Sequence, residues 1–186
     1  MLLAAAVGFL ARAPTPAAGA LAINSVLHVN VNCSDFERSK AFYERLGFRE
    51  IMTVEPRGVG DVAAAVGLGP EYEVKGALMV HQSGFVLDLL EWKAPRDAEA
   101  PYQRLNHLGL ARLAFTTSDL TGDVEKLRAD GVQFLSEAPG VVPDGLGGST
   151  RFIALRDPDG TVLELVELGG VMGSVQRIAQ RVRGSP

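Results

Sequence analysis

The chain has little of several things that would settle its nature quickly. Its 186 residues include one cysteine (Cys33), one tryptophan (Trp92) and three histidines. A single thiol cannot close an internal disulfide, so nothing points to an oxidising compartment. Cys33 sits between Asn32 and Ser34 at a strand end and reads as a small packing residue. Positive charge is not in excess: 18 Lys and Arg face 22 Asp and Glu, a net charge of −4, which argues against a nucleic-acid partner. No apolar run approaches the roughly 20 residues that cross a bilayer, so no membrane partner is expected. The apolar run from Leu2 to Ala11 loosely resembles a signal peptide. No Lys or Arg precedes it, however, and Arg12 follows, so residues 1–22 read as an N-terminal extension of a cytoplasmic protein. With 47% hydrophobic and 22% charged residues, the chain suits a globular core.

What the chain does have is a repeat. Ser34-Asp35-Phe36 recurs as Ser118-Asp119-Leu120, and Gly47 recurs as Gly131, both 84 residues apart. The same offset lays His28 on Arg112. Later in each half, Leu87-Asp88-Leu89-Leu90-Glu91 matches Leu163-Glu164-Leu165-Val166-Glu167, so that Asp88 lies on Glu164. A tandem module places equivalent residues around a pseudo-twofold axis. His28, Asp88, Arg112 and Glu164 are therefore expected to converge on one cavity.

Each half reads as strand, helix and three strands. Val26 to Cys33 alternates, with His28, Asn30 and Asn32 on one face, which is the period of a half-buried strand. Ser34 with Glu37 matches a capping box opening a helix to Leu46, its apolar surface supplied by Phe36, Ala41, Phe42 and Leu46, and Gly47 ends it. Phe48 to Val54 reads as a strand, and Ala77 to Val80 with Phe85 to Trp92 as a hairpin turning at Gln82-Ser83-Gly84. In the second half, strands are expected at Ala111 to Thr116, Val132 to Ser136, Arg151 to Arg156 and Thr161 to Leu168, with a helix from Asp119 to Asp130. Asp157-Pro158-Asp159-Gly160 is the turn of the last hairpin. The modules span residues 23–93 and 106–169, joined by a linker at 94–105. Two inserts, Glu55 to Val74 (with a short helix at Asp61 to Val66) and Ala138 to Thr150, are candidate lids or plain surface loops. Residues 170–186 form a tail, with an apolar stripe along a helix from Val171 to Arg183 that wants a partner surface.

These residues together resemble the vicinal oxygen chelate superfamily, which includes glyoxalase I, methylmalonyl-CoA epimerase, extradiol dioxygenases and the fosfomycin and bleomycin resistance proteins. The resemblance is carried by Leu27-His28-Val29, Ser34-Asp35-Phe36-Glu37-Arg38-Ser39, Phe42-Tyr43, Arg112-Leu113-Ala114-Phe115 and the segment from Asp157 to Leu165. It implies an α+β fold of two tandem βαβββ modules forming a curved mixed-sheet cleft, and a homodimer. It also implies a metal ligand from the first and last strand of each module, at His28, Asp88, Arg112 and Glu164. Arg112 departs from that pattern, because a guanidinium has no lone pair to give an ion.

Two readings follow for the centre. In the favoured one the site is metal-free, the Arg112 guanidinium lying beside Asp88 and Glu164 where a cation would otherwise sit. In the other, His28, Asp88 and Glu164 hold a divalent Zn, Ni, Mn or Fe ion. His107 and His81 are poorer candidates, being at the wrong strand period. Glu91 and Glu167 are repeat partners expected on the outer side of the sheet or at its rim. The function leaned to is that of a glyoxalase I-like (lactoylglutathione lyase type) or epimerase-like isomerase, with Glu164 or Asp88 as base and Arg112 stabilising an enolate. The alternative is a non-catalytic protein that sequesters a small molecule such as an antibiotic, with Arg112, Asn30 and Asn32 binding it. An extradiol-type dioxygenase is the weaker third reading.

Overall fold

The structure, a computed structural model, describes residues 25–54, 56–97, 99–143, 148–171 and 173–175. The N-terminal extension and all but the start of the tail helix lie outside the described residues.

Each module folds as its repeat requires. β1 (Val29–Asn32) leads into α1 (Phe36–Arg45), β2 (Phe48–Thr53), β3 (Arg57–Val59), α2 (Asp61–Ala65), β4 (Glu71–His81) and β5 (Val86–Ala94). The first sheet runs β1-β5-β4-β2, with β3 also pairing to β4. The second module comprises β6 (Leu113–Thr116), α3 (Leu120–Ala129), β7 (Gly140–Pro143), β8 (Ser149–Arg156) and β9 (Val162–Glu167), in the order β6-β9-β8-β7. In both sheets the first and last strands pair in parallel and the remainder antiparallel. This is the expected α+β pair of βαβββ units.

The register fixes which face does what. Asn30 lies beside Asp88 and Ala114 beside Glu164, so with period-two alternation His28 and Arg112 fall on the same faces as those acids. The opposite faces carry Val31, Leu87, Leu89, Leu163 and Leu165, which join Phe36, Tyr43, Leu120, Leu127, Ile153 and Leu155 in one buried cluster. A single apolar core therefore serves both modules, and the polar rows sit on the sheet faces turned away from it.

Three local expectations are corrected. The helix caps are Asp35 and Asp119, which accept from the backbone N–H of Arg38 and Gly122. Ser34 is thereby released for another bond, and Glu37 pairs with Lys75 at 2.8 Å. Ala41 is exposed and Tyr43 is fully buried in its place on the apolar face of α1. Val132 to Ser136 forms only one isolated bridge, Phe134 to Leu155. The edge of the second sheet is instead β7, inside the segment read as a loop, because Gly140 to Pro143 pairs with β8 over four residues. The first insert holds β3, α2 and the start of a longer β4. Gly47, Gly131 and Gly160 adopt positive φ at the two helix ends and the last turn, as their placement requires.

Candidate functional site

The four repeat-related side chains form two pairs, one per module. His28 Nε2 stands 3.9 Å from Asp88 Oδ2, and Arg112 Nε lies 2.7 Å from Glu164 Oε2. No hydrogen bond or ion pair among the described residues joins one pair to the other. The expectation that Arg112 would neutralise both acids is thus met for Glu164, while Asp88 faces the imidazole instead.

The pairs differ in how well they are satisfied. Glu164 is buried but has a guanidinium paired with it at 2.7 Å. Asp88 is half-buried, and its Oδ1 has no hydrogen-bond partner. Desolvation pushes its carboxyl above the ordinary range, and the nearby His28 offsets only part of that. An unsatisfied buried carboxylate oxygen lowers stability, and a water, a ligand or a reacting group placed against it would relieve that cost.

Beside Arg112 lies a cavity of about 930 Å³. Asn30 and Asn32 reach it from β1, Trp92 from β5, Tyr102 and Leu110 from the linker region, and Val66 and Leu68 from the first insert. Of the two candidate lids, the first therefore contributes walls, and the described residues of the second do not. Asn30 is anchored through its amide N–H to the Asp88 carbonyl oxygen at 3.0 Å, and the Trp92 indole N–H donates to Asn32 Oδ1 at 2.8 Å. That leaves the Asn30 Oδ1 and the Asn32 amide N–H for a ligand. The Arg112 guanidinium lines the same cavity, and Glu164 is the one acid paired with it among the described residues.

The remaining candidates fall elsewhere. His107 is exposed and stacks on Tyr102 with ring centres 4.1 Å apart. His81 lies at the module junction, its Nδ1 3.1 Å from the Ser83 N–H. Burial pushes the Cys33 thiol up to about 12, so it is a protonated packing group.

A sequence profile described as the Glyoxalase/Bleomycin resistance protein/Dioxygenase superfamily matches residues 25–165. The chain belongs to that superfamily. An uncharacterized protein of Bacillus subtilis (strain 168), YwkD, is 31% identical over 146 residues, covering 78% of this chain and 98% of that protein. A glyoxalase family protein from Bacillus cereus superposes with a TM-score of 0.65 at 24% identity, covering 80% of this chain and 98% of the other. The fosfomycin resistance protein FosX from Listeria monocytogenes does so with a TM-score of 0.52 at 18% identity, covering 81% and 98%. A second FosX structure holds Mn(II) and a sulfate ion.

The donor set of this superfamily member does not fit the four-ligand ion implied by the resemblance. Arg112 supplies no lone pair, and Glu164, which would supply one, is engaged by Arg112 itself. Among the described residues no three His, Cys, Asp or Glu side chains gather closely enough to hold a metal, so His28, Asp88 and Glu164 do not make a three-ligand set within the chain.

The repeat also carries a role that the sequence alone did not disclose. Glu91 Oε2 accepts from the Phe36 N–H at 3.1 Å, and Glu167 Oε1 accepts from the Leu120 N–H at 3.3 Å. Each is the last-strand acid that ties its module's helix start to the sheet. Their equivalence was visible in the repeat, but the cap they provide depends on how helix and sheet pack.

Proposed function

We propose that this protein binds a small organic anion on the polar face of its sheets, with the Arg112 guanidinium as the anchor at the position where the family resemblance implies a metal ligand. One observation carries the reading. Arg112 pairs with Glu164 at 2.7 Å, and it lines a cavity that also carries Arg96 and the Asn30 and Asn32 amides among its polar groups, with Asp97, Glu99 and Asp159 as its acids. Such a site selects an anion by bidentate geometry and orients its polar body through the amides.

The test is calorimetric titration of the purified protein with a panel of α-hydroxy and α-keto acids. Arg112→Gln should weaken the best binder about tenfold or more, since a bidentate charged contact contributes roughly 1.5–3 kcal/mol. Undiminished affinity in that variant would sink the anchor role.

A second reading is favoured by Asp88. A desolvated carboxyl with one unbonded oxygen next to an imidazole is suited to take a proton from carbon beside a carbonyl, the chemistry of a glyoxalase-type or epimerase-type isomerase. Incubation of α-hydroxy ketones and thioesters in deuterated water distinguishes the two. Solvent deuterium entering the substrate, and ceasing to do so in Asp88→Asn, supports the enzyme; binding without exchange supports sequestration. A cytoplasmic homodimer accords with either reading. Its support is a free, buried Cys33 and the exposed Ile51 and Met52 on the edge strand β2.

A further inference from the structure

The pseudo-twofold repeat is broken at the junction between the modules. On one side the turn at 157–160 is bound to α1. Asp159 accepts from the Ser34 N–H at 3.0 Å and the Arg38 guanidinium at 2.6 Å, and the Tyr43 hydroxyl donates to Asp157 at 2.9 Å. On the other side the repeat offsets lay Ser118 on Ser34, Gly122 on Arg38, Leu127 on Tyr43, His81 on Asp157 and Ser83 on Asp159. The turn keeps its shape: the Ser83 N–H donates to His81 Nδ1 at 3.1 Å, as the Asp159 N–H donates to Asp157 Oδ1 at 3.0 Å.

The side chains that fill the space do not recur. A buried phenol ring is replaced by leucine, and an arginine by Gly122, where a Cβ would meet the capping Asp119 carboxylate at 2.2 Å. A cavity of about 770 Å³ lies on this side, against one of about 630 Å³ along Arg38, Phe42 and residues 157–160 on the other. Three of its wall residues are aromatic rings. His81 and Phe115 lie 5.2 and 6.0 Å from Phe48, centre to centre, and Phe85 lies 6.5 Å from it. Lys126 and Arg45 stand at its rim, each with an acid beside it, Asp123 and Asp130. The Lys126 contact to Asp123 is long, at 3.6 Å, and exposed, so it competes weakly with a ligand. Leu113 is the one residue that lines both this cavity and the Arg112 cavity, and the remaining walls of the two are different residues.

We propose that this junction cavity is a second small-molecule site that takes a monocyclic aromatic acid. The ligand's ring would stand where Tyr43 stands in the first half and pack edge-on against the aromatic cluster, while its carboxylate meets Lys126 and Arg45. Salicylate is the probe, titrated into the full-length protein and followed by amide chemical shifts. Saturable shifts centred on His81, Phe115 and Leu127 are expected. Leu127→Tyr, which restores the missing ring, should weaken binding about tenfold or more, and Arg112→Gln should leave it unchanged. Should Leu127→Tyr not fold, the exposed Lys126→Glu decides, with a loss of about fivefold or more expected. No saturable shifts up to about 10 mM, or unaltered affinity in the folded Leu127→Tyr or in Lys126→Glu, overturns the proposal. Affinity lost in Arg112→Gln assigns the salicylate to the Arg112 cavity and overturns it as well.

Discussion

Two aspartates show how differently one side-chain type behaves under opposite surroundings. Burial alone would raise the Asp159 carboxyl, but hydrogen bonds from Ser34 and the Arg38 charge outweigh it and hold it below its usual 3.8. Its folded-state preference is for the ionised form, so its contribution to stability is present above pH about 3.8 and is lost as pH falls further. Asp88 has the reverse sign. Its carboxyl is raised, so the folded state holds the proton more tightly than the unfolded chain and the ionised group costs stability at neutral pH. Asp88→Asn is therefore expected to stabilise the protein at pH 7 by about 1 kcal/mol, the low end of the cost of an unsatisfied buried acceptor. The gain should shrink as pH falls toward 4, where the wild-type carboxyl takes up its proton. Urea denaturation at pH 7 and pH 4 checks this, and a destabilised variant at pH 7 would mean that Asp88 is satisfied after all. Cys33 and Arg112 lie at the same scale of legibility. The burial of the first was legible because a lone thiol among strand residues has little else to do, and the pairing of the second with Glu164 was legible because the repeat sets both on one face.

Among elements, the helix starts show what a sequence pattern reveals and what it hides. The repeated Ser-Asp-apolar motif locates both helices, since short polar acceptors followed by apolar periodicity have few other uses. It does not reveal which residue caps. Asp35 and Asp119 do so, freeing Ser34 to bind Asp159 across the module boundary at a distance of 125 residues in sequence. Nor does local pattern show why Val132 to Ser136 fails as a strand. It has the composition, but it meets only the end of β8, through the Leu135 N–H to Ala154 and the Arg156 N–H to Gln133, while Gly140 to Pro143 pairs with residues 149–152, where Phe152 lies against the Cβ-free Gly140. Which segment runs long enough to count as a strand is settled by packing. Glu91 and Glu167 offer a test at this scale. Each accepts the first helical N–H of its module, but Glu91 is the more buried and makes the shorter bond. Glu91→Ala should cost about 1–2 kcal/mol and Glu167→Ala about half that, the span observed for lost helix caps. Equal costs in chemical denaturation would show that burial does not separate the two caps.

At the level of the whole molecule, the site positions depend on two modules behaving as one body. The apolar cluster that runs from Val31 and Tyr43 to Leu120 and Leu163 leaves neither sheet with a core of its own. Tyr43 is the point where this sharing is most concentrated. Its ring is fully buried, stacks edge-on with Phe42 and Phe48, and its hydroxyl reaches Asp157 in the other module. Asp157 is itself buried, its carboxyl raised by desolvation that the Tyr43, Thr161 and Asp159 bonds only partly offset. Removing one of those bonds leaves the acid less satisfied without opening a cavity. Tyr43→Phe should therefore destabilise the protein by about 1–2 kcal/mol while keeping its packing. A shared core makes a further demand. Trp92, in the first module, and amide exchange in α3, in the second, must report the same transition, and the substitution must move both by the same amount. A shift in the Trp92 transition alone would mean that the modules unfold separately. In that case the polar rows on the two sheets, and the Arg112 cavity between β1 and the linker, would not be held in fixed relation by the core.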